Sequence, residues 1–174
     1  CYESIGTQDT VELLDRLKTL GFEFATISGL SFGYDDLSVK TNKQEVLSKA
    51  EKEVLAITKK YNKGLITNGE RYNAVTDIWT RANNEISTDL MSALKNDTRD
   101  GVKYLNPVYV MADSGARGSA AQIRQLAGMR GLMSKPNGEV IEVPIKANFR
   151  EGLSTREYFS STHGARKGLA DTAL

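Results

Sequence analysis

The fold is decided by residues 45–86, "EVLSKAEKEVLAITKKYNKGLITNGERYNAVTDIWTRANNEI". Leu47, Ala50, Val54, Ile57 and Tyr61 recur at spacings of three and four. Tyr72, Val75, Trp79, Ala82 and Ile86 repeat that rhythm. Apolar residues at this period line one face of an α-helix. Between the two stripes, Gly64 is a helix stop, and Thr67 with Glu70 three residues on forms a capping box. The spacing therefore predicts an antiparallel helical hairpin over 42–95 with a coiled-coil-like seam, each arm about 30 Å long. The fold class expected is mainly α: a small helical domain with this projecting hairpin and a short β-hairpin.

N-terminal to the hairpin, "TVELLDRLKTLGF" (10–22) reads as a helix with Leu13, Leu14, Leu17 and Leu20 on one face and Gly21 as its stop. Residues 22–37, punctuated by glycine, read as compact connections. Asp35-Asp36 reads as a cap or turn. On the other side, 96–106 reads as a polar connection and "PVYVMAD" (107–113) as a Pro-initiated helical turn or a short strand. Ser119 with Gln122 opens a further helix. Asn137-Gly138 before Val140, Ile141, Val143 and Ile145 predicts a hairpin turn with a strand. Ser154 with Glu157 caps a last helix running from Thr155 to the chain end. The expected division is 1–41, 42–95, 96–152 and 153–174.

Composition narrows the function. One cysteine and one histidine among 174 residues rule out an internal disulfide framework and a Cys/His zinc cluster. No apolar run approaches the roughly 20 residues of a membrane helix, and a cytoplasmic setting is expected. No Asp-x-Asp-x-Asp cluster offers itself to catalytic Mg²⁺, and one histidine allows no Ser-His-Asp set. The net charge of +1 hides a gradient. From Ser114 to Lys167 nine cations (Arg117, Arg124, Arg130, Lys135, Lys146, Arg150, Arg156, Arg166, Lys167) face four acids (Glu139, Glu142, Glu151, Glu157). Such a surplus suits an anionic partner or a plain solvated surface. Lacking an initiator Met and ending in helical pattern, the chain reads as a segment of something larger.

Two Gly-Ala-Arg tripeptides fall in the basic region. In "DSGARGSAAQIRQ" (113–125), Gly115 and Gly118 flank Arg117, and a helix start follows with Arg124 inside it. This is either an anion site, with arginine forks meeting phosphate, or a tight turn whose arginines pair with acids such as Asp113. In the last helix, Gly164 and Gly168 lie four apart beside Arg166 and Lys167. Each interior glycine costs about 1 kcal/mol relative to Ala. Either another backbone packs closely there or the helix bends for a ligand. His163 has no evident carboxylate or cysteine partner and reads as a structural hydrogen-bonding residue.

The stretch "NPVYVMADSGARGSAAQIRQLAGMRGLMSKPNGEVIEVPIKANFREGL" with "EYFSSTHGARKGLADTAL" closely resembles the largest catalytic (beta-prime) subunit of bacterial DNA-directed RNA polymerase. Residues 1–40, with "SFGYDDL", resemble the segment before it, and 41–105 match in architecture and in "GERYN". The resemblance implies the following roles. The hairpin forms the rim of the secondary channel, where nucleoside triphosphates enter and transcript-cleavage factors dock, with Tyr72 and Asn73 at the docking rim. Arg117 contacts incoming triphosphate, with Gln122 and Arg124 in the same motif. The last helix is the start of the bridge helix. Its hinge and nucleic-acid-facing positions are His163, Gly164, Arg166, Lys167, Gly168, Thr172 and Ala173. The partners implied are the beta, alpha, omega and sigma subunits, template DNA, RNA, nucleoside triphosphates and cleavage factors. The family's NADFDGD motif, which holds Mg²⁺, is absent here, so no catalytic residue and no cofactor are assigned to this chain. Ala74 stands where many proteobacterial members have lysine, so an alarmone site is not carried over. Two alternatives stand beside this reading: a self-sufficient nucleotide-binding enzyme built on 113–131, and a stand-alone helical-hairpin interaction module with an anion-binding loop.

Overall fold

The computed structural model describes residues 2–38, 40–135 and 137–173, the side chains of Lys167 and Asp171 excepted. Among these residues there are six α-helices and one two-stranded antiparallel sheet. The chain divides into two units, one up to Gly33 and one from Tyr34 onward.

The first unit is the helix α1 (Tyr2–Ser28), interrupted by non-helical backbone at Gly6. Gly21 does not end it. The residue lies inside the helix, and the chain leaves it at Gly29, whose φ of 59° is the left-handed conformation glycine tolerates. A glycine in helical conformation lowers propensity without breaking the i→i+4 ladder. None of α1 is buried within its own unit, and Leu14, Leu17, Leu20, Phe22, Phe24 and Ile27 are all exposed.

The second unit is built around the hairpin of α2 (Lys43–Asn62) and α3 (Asn68–Lys95). Both expected stripes form its core: Leu47, Ala50, Val75, Trp79, Ala82 and Ile86 are buried, with Val54 and Ile57 packed beside them. Tyr61, nearer the tip, is exposed. At the tip Gly64 takes φ 73°, and Leu65 N–H donates to the Lys60 carbonyl. The capping box forms in both directions between Thr67 and Glu70.

Helix α3 outruns α2 and holds a second core with its C-terminal half. Leu90 and Leu94 close on Val108 from α4 (Pro107–Asp113) and Ile123 from α5 (Ala120–Ala127). Each such side chain, fully withdrawn from water, contributes about 1.5–3 kcal/mol. Helix α6 (Thr155–Ala173) starts at the expected Ser154–Glu157 box.

The β-hairpin lies elsewhere than expected. Its strands are β1 (Thr98–Arg99) and β2 (Val102–Lys103), inside the segment read as a polar connection. Asp100 and Gly101 both have positive φ, 51° and 78°, as a two-residue type I′ turn requires. The 134–145 stretch pairs only through isolated bridges, Ser134 with Val140 and Gly131 with Ile145. Pro144 has no N–H to donate, so a continuous ladder cannot run through it.

Candidate functional site

Helix α4 begins at Pro107, whose missing N–H is harmless in a first turn. Asn106 caps it, Oδ1 accepting from the Val108 and Tyr109 amides at 3.0 and 3.4 Å. At the far end the chain folds back: Gly115 N–H donates to the Ala112 carbonyl and Arg117 N–H to the Met111 carbonyl. Gly115 and Gly118 take φ 74° and 84° on either side of Arg117. A residue with a Cβ is strained there. The glycines thus fix a sharp loop that leaves the Arg117 side chain exposed. Asp113 accepts from the Tyr109 hydroxyl instead of pairing with an arginine.

Helix α5 opens at Ser119. Gln122 Oε1 accepts from the Ser119 amide at 2.9 Å, and the Ser119 hydroxyl accepts from the Gln122 amide. The Gln122 carbonyl oxygen is therefore engaged in the cap, although the residue is exposed. Arg124, one turn on, is half-buried, and its Nε is sealed without a hydrogen-bond partner. The Nε atoms of Arg130 and Arg150 share that condition. Arg130 lies over the Phe149 ring and Arg150 over the Tyr34 ring, both at 4.7 Å. Sequence reading did not single out these two. Stacking against distant aromatics leaves no mark in local spacing.

The acids of the basic region are all engaged. Glu142 forms a forked pair with Arg71 at 2.6 and 2.8 Å, and that bond holds its carboxyl below the usual range. Glu151 pairs with Lys43 at 2.6 Å. Glu139 pairs with Lys135, and Glu157 is held by the Ser154 hydroxyl and amide; both carboxyls are lowered by these bonds. Two of the four acids are thus neutralised by cations outside the stretch. Lys146 likewise turns away, to Glu51. Among the described residues, Arg117, Arg124, Arg130, Arg150, Arg156 and Arg166 have no carboxylate partner.

On α6, Gly164 comes near another backbone: a Cβ there would lie 3.6 Å from the Ser134 carbonyl oxygen, an ordinary contact. Gly168 faces open space. His163 is half-buried with its ring edge-on to Phe159, centroids 5.2 Å apart. Arg166, Thr172 and Ala173 are exposed, and the Thr172 hydroxyl donates to the Gly168 carbonyl. The side chain of Lys167 lies outside the described residues.

At the hairpin, Asn73 is exposed. Tyr72 is tied inward, its hydroxyl donating to the Val140 carbonyl and accepting from the Val140 amide. An open groove between α2 and α3 is lined by Ile57, Ala74, Asp77, Ile78 and Arg81. No helix among the described residues is long and apolar enough to cross a membrane.

The sequence is similar to known proteins along its entire length. Residues 66–150 match the family described as RNA polymerase Rpb1, domain 4. All of the chain aligns with the DNA-directed RNA polymerase subunit beta' of Rhodopirellula baltica at 60% identity over 174 residues, covering 12% of that subunit. The corresponding subunits of Shewanella pealeana and Shewanella putrefaciens are 58% identical over 181 residues, of which the whole chain covers 13%. The chain thus spans about an eighth of the length of the relatives it matches.

Proposed function

From the premise that this chain belongs to the family of bacterial RNA polymerase beta' subunits, as a segment of such a subunit, we propose that it builds the nucleotide-entry channel and the first part of the bridge helix. The observation that carries this reading is the set of six arginines without carboxylates beside acids that are all engaged. Arginine stays protonated at any physiological pH and meets phosphate oxygens in a bidentate fork. Arg117, exposed on a glycine-flanked loop, takes the triphosphate as it arrives. Arg124 adds charge from the following helix. Gln122 holds the start of that helix in place through its carbonyl and turns its amide to the ligand. His163, Gly164, Arg166, Lys167, Gly168, Thr172 and Ala173 form the hinge of α6, where thin side chains let the helix bend and cations approach nucleic acid.

On this reading the α2–α3 hairpin is the channel rim, with Asn73 and the neighbourhood of Tyr72 offered to transcript-cleavage factors. The Mg²⁺ of nucleotide addition is held by parts of the enzyme outside this chain. The remaining partners are the beta, alpha, omega and sigma subunits, template DNA and RNA, in the cytoplasm.

The test is kinetic. In a polymerase whose beta' subunit carries this chain, Arg117→Ala is expected to raise KM for all four nucleoside triphosphates about tenfold, the loss of one charge-assisted contact. An unchanged KM would remove the phosphate role of Arg117.

A further inference from the structure

The loop that carries Arg117 hangs from a helix of two turns, so its direction depends on how that helix is held. The start of α4 is held by a partly buried polar cluster, in segments that read from sequence as a turn and a polar linker. Asn106 is 1% exposed and uses its whole amide. Its oxygen caps α4, while Nδ2 donates to the Asp36 carbonyl at 2.8 Å and to Asp97 Oδ2 at 3.1 Å. Asp36, itself 6% exposed, accepts from Arg99 and from the Tyr104 hydroxyl. Arg99 lies over the Tyr104 ring, its Cζ 3.7 Å from the ring centre, with Asp97 at 3.8 Å. The 3₁₀ turn Tyr34–Leu37, the β1–β2 hairpin and the first turn of α4 are thereby locked by one network.

We infer that Asn106, with Asp36, Arg99 and Tyr104, is a positioning unit for Arg117. The chain of contacts is continuous. Asn106 fixes the first turn of α4, and the last turn of α4 accepts the Arg117 amide at the Met111 carbonyl. A network with two buried members, Asp36 and Asn106, and every member partnered resists small displacements, because each one breaks several bonds at once. A shift of about 1 Å in a substrate-holding group is enough to lower its effectiveness strongly. The cluster touches no substrate; it acts through the arginine.

This inference rests on the phosphate role of Arg117 proposed above. The experiment is a double-mutant cycle in a polymerase carrying this chain in its beta' subunit, reading KM and kcat for nucleotide addition. Asn106→Ala is expected to raise KM about tenfold with kcat within about twofold. Tyr104→Phe, which removes one hydroxyl and leaves the ring under Arg99, is expected to raise KM about twofold to threefold. It serves if Asn106→Ala fails to assemble. Asn106→Ser, which keeps an oxygen able to cap α4, should recover part of the loss. In an Arg117→Ala background each of these changes should alter KM less than about twofold. Multiplicative effects, or a normal KM in Asn106→Ala and Tyr104→Phe beside a raised KM in Arg117→Ala, would overturn the inference alone. A normal KM in Arg117→Ala would overturn the earlier reading and this one with it.

Discussion

Arg71 and Glu142 show how much a single pair does here. Their forked bond joins the first turn of α3, next to the hairpin tip, to the irregular segment that follows α5, and Arg71 also lies 5.4 Å from the centre of the Tyr61 ring. The pair lowers the Glu142 carboxyl, so its contribution to stability is present above the ordinary glutamate pKa of about 4.3 and is lost as pH falls through the lower folded value. The expected outcome is that an acid titration of Glu142→Gln loses stability less steeply below about pH 4.3 than the parent chain does, as followed by circular dichroism. Identical acid limbs would show that the pair does not couple to folding. In the core, Leu90 is fully buried between α4 and α5. Leu90→Ala should cost about 2–5 kcal/mol in denaturant unfolding. At this scale the sequence was only partly legible. Arg117 stands out because glycines flank it. Asp36 and Asn106 do not, because their partners lie 63 to 70 residues away along the chain.

At the scale of elements, what local chemistry encodes was readable. Three capping boxes, at Thr67, Ser119 and Ser154, all form. Both apolar stripes became one seam because heptad-like spacing is sufficient to specify it. Gly21 misled, since a helix can absorb one glycine when the residues beyond it continue the pattern. The Asp100-Gly101 turn was missed although its dipeptide is a strong hairpin signal; strands of two residues leave almost no alternation to notice. Two predictions belong here. Gly168 has helical backbone and open space where a Cβ would sit, so Gly168→Ala should stiffen α6 by about 1 kcal/mol, seen as slower amide exchange along it. Faster or unchanged exchange would argue against an intrinsically weak hinge. On the rim role proposed above, charge reversal at exposed Lys60 and Lys63 near the hairpin tip should weaken docking of a cleavage factor while basal elongation stays the same. Equal loss of both would point to misfolding instead.

For the molecule as a whole, charge and burial point the same way. The core of the second unit is built from α2 to α5, while the arginines of the basic region are left without acids. Composition alone revealed the surplus of cations. It could not reveal that Glu142 and Glu151 are drawn away by Arg71 and Lys43, which are distant in sequence, and so it understated how many of the remaining arginines lack a carboxylate. The most direct measurement is photo-cross-linking in a polymerase carrying this chain, using a nucleoside triphosphate with a photoreactive γ-phosphate. The label is expected on residues 113–131, and Arg117→Ala should reduce it. A label confined to other segments, with none on 113–131, would contradict the account.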